Sequence, residues 1–131
     1  MKKLILAFAL LPLCALAQQT FSSNKEYLLI SNTKMNKIYL HTPSIEYADD
    51  ERLKMMVWVS ITPKTKQAYS WWMGNLGIDC GVKRIKTLSR IAYDKRNQII
   101  QEDDEQSSWQ VPVPNSVGYD AMIGACAYNK P

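Results

Sequence analysis

Two cysteines, Cys80 and Cys126, constrain this chain more than any other feature, because a bond between them closes 46 positions of sequence into one loop. The third cysteine, Cys14, stands inside a segment that reads as an export signal. Met1-Lys2-Lys3 is a short basic head, Leu4 to Leu13 is an apolar run, and Ala15-Leu16-Ala17 is a small-residue cleavage site. Residues 1–17 are therefore expected to be removed between Ala17 and Gln18. That leaves Cys80 and Cys126 as the only thiols, and in an oxidising compartment they are expected to pair. Closing a loop of this length stabilises a fold by about 4 kcal/mol in the chain-entropy account.

The apolar run of the signal is about half the roughly 20 residues that a membrane-spanning helix needs, and no later run is longer. Lipid attachment at Cys14 wants a small residue just before the cysteine, where this chain has Leu13 after Pro12. The expectation is an exported chain, periplasmic, at the cell surface or secreted, neither membrane-spanning nor lipid-anchored. Residues 18–131 suffice for a single domain with a modest core. Of the 16 basic residues, Lys2 and Lys3 leave with the signal, so 14 face 12 acidic ones. A net charge of +2 does not argue for nucleic acid as a partner.

Period-two patterning dominates the rest. In Lys54 to Thr62, Met55, Val57, Val59 and Ile61 fall on one face and Met56, Trp58 and Ser60 on the other, which predicts a strand with one plainly buried side. Tyr27 to Ile30 and Lys37 to His41 read as a hairpin, Thr42 to Arg52 as a polar, acidic loop, and Gln67 to Trp72 as a further strand. Gly74 and Gly77 are expected to loosen the backbone before Cys80. Val82 to Tyr93 forms a long strand with Ile85, Ile91 and Tyr93 on one side and Arg84, Lys86 and Arg90 on the other. Asp94 to Asn97 turns the chain into Gln98 to Gln101, and Trp109 to Val111 is a short extended piece. Asn115-Ser116 caps a short C-terminal helix whose apolar face holds Val117, Met122, Ile123 and Cys126, with Gly118 and Gly124 weakening it. The class is α+β.

The ordered set Asp79-Cys80, a basic strand, Tyr93-Asp94 at a hairpin, Trp109 with Val111 and Pro112, Pro114-Asn115-Ser116 and a terminal Cys126 resembles the surface-adhesin protein E-like family of Gram-negative bacteria. Tyr39-Leu40, Ser44-Ile45 and Val57-Trp58-Val59 sit where that family places its first strands, so the likeness runs from about Tyr27 to Tyr128. It implies an antiparallel sheet of about six strands whose concave face holds the C-terminal helix through the disulfide. It also implies a homodimer and attachment to an extracellular protein or glycan. The turn glycine common in the family after tyrosine-aspartate is Asn97 here.

Two groups of residues are candidates for ligand binding. Arg84, Lys86 and Arg90 form a basic strand face that suits sulfated glycans, lipid phosphates or an acidic protein segment. A solvated face that discourages sheet aggregation accounts for them as well. Trp71 and Trp72, adjacent in a strand, must point to opposite faces, so one of them can meet a ligand while the other is core. His41 is the only histidine, and with both exported cysteines oxidised no Ser/His/Asp or Cys/His set is available. The acidic runs Glu46 to Glu51 and Glu102 to Glu105 lack the glycine-turned spacing of a calcium loop. The sequence thus predicts a non-enzymatic binding module with no catalytic residues, metal or cofactor. A soluble periplasmic factor that binds an envelope component or inhibits an enzyme is the alternative.

Overall fold

A computed structural model describes residues 26–65 and 70–130, so the expected signal peptide, with Ala17 and Gln18 at its cleavage, lies outside the described residues. Six strands form one antiparallel sheet: β1 (Tyr27–Asn32), β2 (Asn36–Tyr47), β3 (Lys54–Pro63), β4 (Trp71–Asp79), β5 (Arg84–Tyr93) and β6 (Ile99–Asp103). Each strand pairs with the next, so the sheet is an unbroken meander. A helix, α1 (Val117–Ala127), follows it.

The alternation on β3 decides the layering. Met55, Val57, Val59 and Ile61 are buried, and the pairing registers put Ile38 and Leu40 of β2 and Leu76 and Ile78 of β4 on the same face. Ala121, Met122 and Ala125 of α1 close over that face to complete the core. Each fully buried Val, Leu or Ile contributes about 1.5–3 kcal/mol, so this layer is the main source of stability. Ser116 caps the helix, its Oγ accepting the Tyr119 N–H at 3.2 Å, and Asp120 places a carboxylate at the positive end of the helix dipole. Cys126, in the last turn, is bonded to Cys80 just beyond β4.

Three local expectations are corrected. The polar stretch after His41 is not all loop, for β2 runs on to Tyr47 and buries Ile45. It does so through an irregularity between His41 and Glu46, where the Ser44 hydroxyl donates to the His41 carbonyl at 2.7 Å and accepts the Trp58 N–H at 2.9 Å. One side chain thereby satisfies two backbone groups that the kink takes out of the ladder. Trp71 begins β4 instead of ending a strand, residues 66–69 lying outside the described part, and Gly74 and Gly77 are within that strand. Ile123 is exposed, because α1 turns Ala121, Met122 and Ala125 to the sheet and leaves Ile123 on its outer side.

Candidate functional site

Residues that alternate with the core define the second face of the sheet. Among the described residues no helix covers it. The registers Tyr27↔His41 and His41↔Trp58 carry one row across β1 to β3, and Met73↔Ile91 and Trp71↔Tyr93 carry the matching row across β4 and β5. Tyr27, His41, Trp58, Met73, Ile91 and Tyr93 together line an open groove of about 260 Å³. Among the described residues no carboxylate, ammonium or guanidinium group belongs to this lining.

Several contacts hold the lining in place. The Trp71 and Tyr93 rings are stacked, 3.9 Å between centroids and 6° between planes, and the Trp71 indole N–H donates to Asn97 Oδ1 at 2.9 Å. The Tyr27 ring is tilted against His41 at 4.8 Å. Burial pushes the Tyr27 phenol above its ordinary pKa, with Glu26 and then Tyr93, across the groove, adding to the effect. Tyr93 is raised in the same way by burial and then by Glu102. Burial lowers the His41 imidazole, against the opposing pull of Glu26. The groove is thus neutral in the neutral pH range, with phenol and imidazole groups set among apolar side chains.

The basic residues singled out in the sequence do not share one face. β5 pairs regularly with β4 from Asp79↔Arg84 to Leu76↔Thr87, then slips so that Asn75 faces Ser89 and Gly74 faces Arg90. Leu88 is the extra residue, and the slip inverts everything after it. Arg84 and Lys86 therefore lie on the face of the groove, with Ile91 and Tyr93. Arg90 lies on the helix side with Ile85. Lys86 extends over Gly77, its Nζ 5.0 Å from the centre of the Trp109 ring. Arg90 pairs with Asp103 at 3.6 Å and stands 5.9 Å from the Trp72 ring. With Trp72, Ala92 and Gln101 they border a smaller pocket of about 140 Å³.

Trp71 and Trp72 do point to opposite faces, as their adjacency in a strand dictates, and neither lines the groove. Trp71 supports it through Tyr93. Sequence reasoning sets Trp58 on the face opposite the core, where it could join a partner surface, and misses the other lining residues as a site. Their signal is the second phase of each strand, Tyr27, His41, Trp58, Met73 and Tyr93, unusually aromatic for a solvated sheet face. Among the described residues no group of three or more His, Cys, Asp or Glu side chains is placed to hold a metal ion. No helix there is long and apolar enough to cross a membrane.

A comparison with curated proteins found no match. The family model for surface-adhesin protein E matches residues 27–127, which takes in all six strands, the helix and both cysteines of the disulfide. On that match over most of its length, the chain belongs to the surface-adhesin protein E family.

Proposed function

We propose that this protein is an exported adhesin-type binding module that attaches to an extracellular protein or glycan through the sheet face opposite α1. The observation that carries the proposal is the groove between β1 and β5, an aromatic surface that the helix leaves uncovered while the other face is packed as core. A sheet face built only for solvation gains nothing from Trp58, Tyr27 and Tyr93, whereas aromatic side chains are the groups most enriched where proteins bind partners. Membership of an adhesin family supports binding in place of turnover.

The test is protease shaving of intact producing cells, with peptides from residues 18–131 identified by mass spectrometry and a periplasmic protein as the leakage control. Release of these peptides without leakage is the expected result. Complete protection, in cells whose lysis liberates the chain, refutes display at the surface.

A further inference from the structure

The geometry points to a specific ligand class: the groove of Tyr27, His41, Trp58, Met73, Ile91 and Tyr93 binds a sugar ring of a neutral glycan, an inference that rests on the binding function above.

Charge selects first. Among the described lining residues a sulfated or phosphorylated ligand finds no cation, and the carboxylates of Glu26 and Glu102, which bear on Tyr27, His41 and Tyr93 from outside the lining, repel an anionic ligand further. The cations of this face stand outside the lining: Lys37 on β2, Lys54 on β3, and Arg84 and Lys86 on β5, opposite Asp79 and Gly77 in the strand register, with Lys86 drawn over Trp109.

Backbone geometry selects next. An extended peptide gains affinity by adding to a free strand edge. The groove lies over the interior of the sheet, where β2, β3 and β4 are paired on both sides. A peptide laid there meets side chains and no open ladder.

A pyranose ring fits what remains. Its axial C–H bonds carry partial positive charge and are attracted to the negative faces of aromatic rings. Its hydroxyls need partners that both donate and accept, which phenols and a neutral imidazole supply, and a phenol oxygen with one contact retains further capacity. The volume of about 260 Å³ falls below the roughly 300–1,000 Å³ of sites for drug-sized ligands, which suits one or two sugar rings of a longer chain passing over the sheet. Pre-organisation favours binding as well. The Trp71 stack fixes Tyr93, Asn97 fixes Trp71, and Ser44 fixes the backbone of Trp58, so few side chains need to be ordered by the ligand.

The experiment titrates the purified protein with maltotriose, mannotriose and N-acetyllactosamine, and with a heparin octasaccharide as the charged comparator, following amide and indole resonances by NMR. Expected is a saturable shift centred on Trp58, Met73, Ile91 and Tyr93 with at least one neutral saccharide. That shift should be insensitive to salt, and Trp58→Ala should weaken binding at least tenfold. The wild-type shift map answers the question even where Trp58→Ala does not fold, and Tyr27→Phe, which keeps the ring and removes the hydroxyl, gives a second variant. The inference is overturned where none of the three neutral saccharides moves the groove resonances, or where heparin alone binds and its shifts map to Arg84 and Lys86. Because the purified protein is used, failure here leaves the shaving result standing, and failure of shaving leaves this result standing.

Discussion

Gly124 of α1 lies directly against Ile30 of β1, so closely that a Cβ on the glycine would stand 2.5 Å from the Cβ of Ile30. That contact lets the helix settle on the sheet at the distance the core needs. Gly118 is close to Ile85 too, but there the nearest atom is the terminal Cδ1, at 2.7 Å, which a rotamer change can move. Alanine in a helix gains about 1 kcal/mol over glycine, while overpacking costs typically 1–3 kcal/mol. Gly118→Ala is expected to be neutral or slightly stabilising and Gly124→Ala to destabilise by about 1–2 kcal/mol. Denaturant midpoints check this, and equal stabilisation by both would show that the Ile30 contact yields freely.

Ser44 offers a sharper local test. Its hydroxyl serves the Trp58 N–H and the His41 carbonyl together, so Ser44→Ala leaves two backbone groups without that partner. The expected loss is about 1–3 kcal/mol, with faster hydrogen exchange at the Trp58 amide than at its neighbours on β3. An unchanged exchange rate at Trp58 would argue against the stitch.

Ser60 is the opposite case. It is fully buried between Tyr39 and Met73 in the register, and its hydroxyl has no hydrogen-bond partner among the described residues. Ser60→Ala removes a desolvated polar atom and should leave the unfolding midpoint unchanged or raise it, by up to about 1 kcal/mol. A loss above that range would mean the hydroxyl is satisfied in solution.

His41 makes stability depend on pH. Its folded pKa is lowered, chiefly by burial, so between that value and the ordinary 6.5 the unfolded chain binds more protons than the native one. Its contribution is therefore fully present above pH 6.5 and is lost as pH falls below it. As the only histidine, it gives a single imidazole signal whose NMR titration midpoint should lie below 6.5. His41→Phe should flatten the fall in the denaturation midpoint from pH 7 to pH 5.5, and an unaltered slope would assign that fall to other groups.

Breaking the disulfide tests how much the closed loop contributes. Cys126→Ser, or Cys80→Ser, should lower stability by about 2–5 kcal/mol, and the double variant should lose no more than either alone. Clearly additive losses would show that the two thiols act separately.

Much of the fold is legible in the sequence because strand alternation writes the core directly: the spacing of Val57, Val59 and Ile61 is enough to announce one buried face. The helix and its cap at Ser116 are legible for the same local reason. What is not legible depends on single extra residues. Nothing in the side chains around Leu88 marks it as unpaired, yet that slip carries Arg90 away from Arg84 and Lys86. The kink after His41 is hidden likewise, since Thr42-Pro43-Ser44 has the composition of a loop, and what keeps it in the sheet is long-range: the Ser44 bonds and the Thr42 N–H donating to the Glu26 carbonyl at 2.9 Å. Asn97 illustrates a third kind of gap. Its left-handed backbone, φ 60°, follows from the turn, but its hold on Trp71 joins residues 26 positions apart.

The meander has a further consequence for the order in which the molecule can be made. Every strand finds its partner in the segment just before it, so pairing can advance as the chain emerges from its N-terminus, each step closing only a short loop. Cys80 is then in place long before Cys126 arrives, and no other thiol among the described residues competes for it. The bond therefore joins the last element to be made, α1, to the end of a strand whose partners are already available, and so ties the C-terminus back to the middle of the chain.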